Sequence, residues 1–147
     1  MDRMMFALAA TLVAGLAFAQ GGPGYAPAEN PFQGDFGFTL GQPTALRVDI
    51  QGVQLDSITL TAQGEVRAGE TVKCQVQVVG ASVAEKKATL TVVLLLEDAE
   101  GRNLERVMLE PFKVKPGKPF DERQKLTAEG SALAAAARVY VFVQVAF

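Results

Sequence analysis

Apolar residues at every second position are the feature that most restricts what this chain can fold into. Val72, Cys74, Val76 and Val78 alternate with polar side chains, which predicts a strand with one face in a core and the other in water. Further strands are predicted at residues 46–50, 58–60, 89–97, 103–109, 120–128 and 138–147. No helical period is long enough for a β-α-β crossover, and only the alanine-rich residues 131–137 are predicted to form one or two helical turns. The chain is therefore predicted to be all-β.

Seven or eight short strands separated by turn signals predict an antiparallel β-sandwich. Gly101 ends a tight turn that begins at Asp98, and three prolines divide the chain between residues 111 and 119. A small eight-stranded outer-membrane β-barrel is the alternative, since apolar residues occupy every second position before the terminal Phe147. A barrel needs about 9–11 residues in each strand, which residues 45–147 barely supply, so the sandwich is the favoured prediction.

Two segments are similar to a broad class of β-sandwich modules. Residues 67–78, in which a glycine turn precedes an alternating valine strand, resemble the second strand of bacterial immunoglobulin-like and fibronectin-III-like modules. Residues 94–104, a strand ending in Asp98 and Gly101 with a leucine after the turn, resemble the next hairpin of such modules. The resemblance covers residues 46–147 and implies a sandwich with an adhesive or accessory role, without indicating a ligand. The chain departs from true immunoglobulin domains because it has one cysteine and no tryptophan.

The first nineteen residues have the layout of a secretory signal peptide. Arg3 precedes an uncharged apolar run over residues 4–19, which ends in Ala17-Phe18-Ala19 before Gln20. The run is shorter than the ~20 residues of a membrane-spanning helix, so cleavage after Ala19 is favoured over an uncleaved anchor. We therefore predict export, with the mature protein in the periplasm or outside the cell.

Residues 20–44 differ in composition from the rest of the chain. Residues 21–44 contain six glycines and four prolines, which predicts a flexible or docking arm in front of a sandwich domain at residues 45–147. The arm also carries four aromatic residues, Tyr25, Phe32, Phe36 and Phe38. Docking of these aromatics on their own domain or on a neighbour is the favoured interpretation, and disorder is the alternative.

The chemistry available to the chain is narrow because it contains no histidine. Ser-His-Asp and Cys-His catalysis and histidine metal sites are therefore excluded, and the single cysteine, Cys74, cannot build a thiolate zinc site. Cys74 lies on the apolar side of its strand, where we expect it to be buried. A net charge of −2 with interspersed acids and bases does not indicate a nucleic-acid partner. We predict a protein that is not an enzyme and has no cofactor or metal.

Two strands are apolar on both faces, which predicts a covered or partner-binding surface. In the last strand, valines line one face while Tyr140, Phe142 and Ala146 make the other face apolar, and the middle of residues 89–97 is similar. An outer strand of a sandwich should present one polar face to water, so the second face needs cover from the arm, from the alanine-rich turn or from another copy. The candidate partner-binding residues are Phe32, Phe36, Phe38, Tyr140 and Phe142.

These observations together predict an exported, non-catalytic binding or assembly module of the periplasm or cell envelope. It would act through contacts with a protein partner or through self-association, and contact with a membrane is less favoured. A small outer-membrane barrel protein and a glycan-binding accessory module are the alternatives. A glycan-binding module usually needs a platform of exposed aromatic side chains. The glycan alternative is weakened because the chain has no tryptophan and only two tyrosines.

Overall fold

The computed structural model describes residues 24–147, so the predicted signal peptide and its cleavage site lie outside the described residues. The described part of the chain forms ten strands and one short helix. In chain order these are β1 (Ala26–Pro27), β2 (Phe32–Gly37), β3 (Thr44–Ile50), β4 (Val53–Ala62), β5 (Thr71–Ser82), β6 (Ala88–Glu97), β7 (Asn103–Met108), β8 (Phe112–Val114), β9 (Pro119–Glu129), α1 (Gly130–Ala135) and β10 (Arg138–Ala146).

The strands lie in two separate sheets, which confirms the predicted β-sandwich. Sheet I has the order β1-β3-β4-β5-β9, and sheet II has the order β2-β10-β6-β7, with β8 pairing with β6 beside β7. All pairs are antiparallel except β1 with β3. Three consecutive strands, β3 to β5, lie side by side in sheet I, whereas an immunoglobulin constant domain has the sheets ABED and CFG.

The core lies between the sheets and is built from the alternating residues of their strands. The inward side chains of β5 and β10 are all buried, as the alternation predicted. They are Val72, Cys74, Val76 and Val78 from sheet I, and Val139, Val141, Val143 and Val145 from sheet II. Burying each Val or Leu side chain stabilises the fold by roughly 1.5–3 kcal/mol, so this row-by-row packing is the main favourable contribution.

Strand β5 continues to Ser82, four residues beyond Val78, where the alternating residues named in the sequence end. Gly80 lies inside the strand opposite Leu55, where β4 has an irregular register. A Cβ atom built on Gly80 would lie 2.1 Å from the carbonyl oxygen of Gln54 and 2.7 Å from Cζ of Phe120. The strand therefore continues to Ser82 because glycine lets the β4 backbone approach closely.

The described part of the predicted arm belongs to both sheets. Strand β2 pairs with β10 over six residues, from Phe32 opposite Val143 to Gly37 opposite Arg138, and β1 pairs with β3. The side chain of Asn30 extends this ladder, because its amide donates to the carbonyl of Val145 at 2.7 Å and accepts from the Val145 N–H at 3.0 Å. Composition separated these residues from the sandwich, yet the structure places two strands within it.

The turn between β6 and β7 begins at Asp98, as predicted from its sequence. The Asp98 carboxylate accepts the backbone N–H groups of Glu100 at 3.0 Å and Arg102 at 2.9 Å, and the Arg102 Nε–H at 2.9 Å. Gly101 has a φ of 85°, the left-handed conformation that the turn requires. Donation from the Arg102 backbone N–H is the largest cause that lowers the pKa of Asp98 below its usual value.

Helix α1 connects the two sheets between β9 and β10. It begins at Gly130, one residue before the predicted segment, and faces the core through the buried Leu133. A Cβ on Gly130 would lie 1.8 Å from the carbonyl oxygen of Arg67, so this position also requires glycine. None of the helical structure in residues 24–147 has the length and hydropathy of a membrane span.

Candidate functional site

The outer face of sheet II carries a group of apolar side chains that points away from the core. Strand register places Tyr140 beside Leu95 and Phe142 beside Val93, while Met108 of β7 pairs with Val93 on its other side. These five side chains share one face because each lies one position away from a core-facing residue of its strand. We call Val93, Leu95, Met108, Tyr140 and Phe142 the outer patch.

The outer patch is accessible although it is apolar. Met108 is 58% exposed, and Leu95, Tyr140 and Phe142 are half-buried. Val93 lies in the middle of the patch and is only 9% exposed, because its long neighbours cover it. Together with Arg106, four of these residues line a shallow depression of about 300 Å³. The patch therefore offers aromatic and aliphatic side chains around a concave centre, which is the form of many protein-binding surfaces.

Polar groups border the outer patch on two sides. On the β2 side, the Tyr140 hydroxyl donates to Oε1 of Gln33, and Nη2 of Arg138 lies 3.2 Å from Oδ1 of Asp35. On the β7 side, Arg106 pairs with Leu95 in the register and forms no ion pair with any residue of the described range 24–147. The patch thus has the Asp35–Arg138 ion pair on one border and a cation without an ion pair in the described range on the other.

The structure does not bring the five predicted partner-binding residues together. Tyr140 and Phe142 point outward, whereas Phe32 and Phe36 pack against the core with ring centroids 6.3 Å apart. Phe38 packs against the core between the sheets, and its backbone N–H donates to the carbonyl of Ala137 at 3.0 Å. The three phenylalanines therefore help to hold β2 on the sandwich, and two of the five remain on the candidate surface.

The arm and the alanine-rich turn, two of the three candidates for covering the outer face of β10, pack toward the core instead. Strand β2 lies beside β10 in the same sheet and turns its phenylalanines to the core, and α1 packs its leucine into the core. Neither segment covers the outer patch.

The sequence did not identify Met108 as a member of this surface or Arg106 as a residue on its border. The apolar residues on both faces of β6 indicated Val93 and Leu95, but Met108 lies in a strand whose other apolar residues, Leu104 and Val107, pack toward the core. Only the register of β7 on β6 shows that Met108 extends the patch and that Arg106 borders it.

A second polar cluster, on sheet I, holds the start of the described chain in place. The Tyr25 hydroxyl donates to Oδ1 of Asp56, and the Arg47 guanidinium lies 4.4 Å from the Tyr25 ring centroid and 3.1 Å from the same carboxylate oxygen. The hydrogen bond to Asp56 is the largest cause that raises the pKa of Tyr25. Because these three groups bind one another, the cluster holds the residue before β1 on sheet I.

The remaining reactive group is the thiol of Cys74. Cys74 is 0% exposed, as predicted, and burial raises the pKa of its thiol, which disfavours a reactive thiolate. Within residues 24–147, no three Cys, Asp or Glu side chains are grouped so that they could hold a metal ion. The outer patch is therefore the candidate functional site.

No protein-family model matches the chain, and no curated protein matches it significantly in sequence.

Proposed function

We propose that the chain is an exported, non-catalytic binding or assembly module of the periplasm or cell envelope, and that it contacts a protein through the outer patch. The observation that carries this proposal is that Leu95, Met108, Tyr140 and Phe142 form one accessible apolar surface that no segment of the described chain covers. Monomeric proteins rarely expose such a surface unless it binds something.

The composition of the surface supports a protein as the partner. Aromatic residues, methionine and arginine are enriched in protein interfaces, and hot spots lie where apolar side chains are surrounded by a polar rim. The outer patch has this arrangement, with Val93 at its centre and Arg106, Asp35 and Gln33 around it. The resemblance of residues 46–147 to bacterial immunoglobulin-like modules suggests the same kind of role.

The proposed location in the periplasm or cell envelope rests on the predicted signal peptide and has its own test. We expect the intact mass of the protein recovered from the soluble envelope fraction to correspond to a chain that starts at Gln20. A chain that starts at Met1 and stays in the cytoplasm would refute the proposed location.

The binding role is tested by photo-crosslinking in the cells that make the protein. A photoreactive amino acid is placed at position 95, in the outer patch, and in a matched control at position 73, since Lys73 is exposed on the outer face of sheet I. We expect position 95 to give a defined covalent adduct with a protein that mass spectrometry identifies, and position 73 to give none. No adduct at position 95, or the same adducts at both positions, would overturn the proposal.

A further inference from the structure

We propose that the partner of the outer patch is a second copy of this chain, which packs sheet II against sheet II about a two-fold axis parallel to the strands. This inference rests on the proposed function, because it names the occupant of the same surface. It is supported by the strand register, the charges at the two borders and the area of the face.

The outer face of sheet II consists of rows that run across the strands. In one row, from β2 to β7, the register gives Asp35, Tyr140, Leu95 and Arg106. The row is acidic at one end, cationic at the other and apolar between them.

The neighbouring row consists of Gln33, Phe142, Val93 and Met108. It contains no charge, so its contribution to an interface comes from its apolar middle.

A two-fold axis parallel to the strands reverses each row and leaves it at the same height along the strands. Asp35 of one copy then lies opposite Arg106 of the other, and Tyr140 lies opposite Leu95. An isologous interface must be self-complementary, and this rotation pairs acid with base at both borders. Arg106, which forms no ion pair with residues 24–147, thereby gains the Asp35 carboxylate as a partner, which this carboxylate shares with Arg138 of its own copy at 3.2 Å.

The same rotation matches the apolar centres of the rows. Phe142 lies opposite Val93 of the other copy, so a large ring faces the small side chain that is nearly buried at the centre of the patch. Stacked sheets interdigitate side chains at a separation of about 10 Å with strands within ~30° of each other, which this axis allows.

The size of the face fits a weak dimer. Strands β6 and β10 have ten and nine residues and are about 30 Å long, whereas β2 and β7 have six residues each and are about 20 Å long. With strands ~4.8 Å apart, the projected face is roughly 15 by 25 Å, which is smaller than the roughly 800 Å² that each partner buries in a standard interface.

Charge reversal tests the arrangement with purified protein in sedimentation velocity. We expect the wild-type protein to dimerise between about 1 μM and 500 μM. Arg106→Asp and Asp35→Lys each place like charges at both borders, so each variant alone should have a dimer dissociation constant at least about 10-fold higher. In an equimolar mixture, a dimer of one copy of each variant has one native acid–base pair and one pair with the charges exchanged. We therefore expect the mixture to dimerise with a dissociation constant close to that of the wild-type protein.

Two controls distinguish loss of the border ion pairs from a general effect of charge or from unfolding. Lys125→Asp changes the same charge on the outer face of sheet I and should leave dimerisation unchanged. Circular dichroism and thermal midpoints show that each variant is folded.

Each other outcome overturns the inference. A wild-type dimer that neither reversal weakens would exclude this face, and two monomeric variants that stay monomeric when mixed would exclude this axis. A monomeric wild-type protein up to about 500 μM would exclude self-association. If position 95 still crosslinks to a different protein in cells, the proposed function stands and only this inference fails.

Discussion

Replacing Gly80 by alanine tests whether the β4 backbone lies as close to β5 as the structure shows. The added methyl carbon would lie 2.1 Å from the Gln54 carbonyl oxygen, where real Cβ contacts are essentially never closer than 3.0 Å. The backbone of β4 would therefore have to move by about 0.9 Å, and the Phe120 ring, at 2.7 Å, would have to move as well. The Gln54 carbonyl belongs to the β4 backbone, so it cannot turn away as the end of a side chain such as Phe120 could.

The expected cost follows from the size of this overlap. Overpacking a closely packed site costs about 1–3 kcal/mol, and the rigid backbone acceptor places Gly80→Ala near the upper value. For a domain of this length, a loss of ~3 kcal/mol lowers the thermal midpoint by roughly 12 °C.

The assay is urea and thermal denaturation followed by circular dichroism, with Gly64→Ala as the matched control. A Cβ on Gly64 would meet no atom within 4 Å, and so we expect that control to remain within about 0.5 kcal/mol of wild type. An unchanged urea m-value would show that stability, and not the denatured state, has changed. If Gly80→Ala unfolds within about 0.5 kcal/mol of wild type, the close approach of β4 to β5 is refuted.

Three further predictions concern the arm, the β6–β7 turn and the buried thiol. Phe38→Ala should lower the free energy of unfolding by about 2–3 kcal/mol in urea denaturation, because it leaves a gap between the sheets; a change below about 0.5 kcal/mol would contradict the packing of the arm. The pKa of Asp98 is lowered in the folded state, so its stabilising effect is present above its unfolded pKa and disappears as pH falls through the folded value. Asp98→Asn should therefore be less stable than wild type at neutral pH and approach it below about pH 4 in thermal scans, and a pH-independent difference would contradict this. Cys74 should react with a thiol reagent only in proportion to unfolding by urea, and rapid labelling of the native protein would contradict its burial.

The strands that could be predicted are those in which apolar residues line at least one face at every second position. In β5, the pattern from Val72 to Val78 repeats with a period of two, and burial of one face turns that pattern into a unique register. Strand β2 has the same period in Phe32, Gly34 and Phe36, but glycine has no side chain and the surrounding glycines and prolines conceal the alternation. Its pairing partner lies about 100 residues further along the chain, so no local signal identifies it.

The candidate site could be predicted only in part, for the same physical reason. Tyr140 and Phe142 were found because they make one strand apolar on both faces. Their neighbours Met108 and Arg106 depend on how β7 pairs with β6, including a register shift at Leu96 that the sequence does not reveal. The register between strands determines which residues are neighbours on such a surface. Between strands that are distant in the chain, that register depends on how the whole core packs.

Strand β10 lies between β2 and β6, although it comes after both of them in the chain. All nine of its residues pair with β6 and six also pair with β2. As the chain emerges, the β3-β4-β5 meander of sheet I can form from local hairpins, whereas one edge of β6 and the inner edge of β2 find their partner only in residues 138–146. Sheet II is therefore completed only after these residues have emerged. A chain truncated before Arg138 would leave two unpaired strand edges and the inward phenylalanines of β2 in water, which favours aggregation over a stable partial fold.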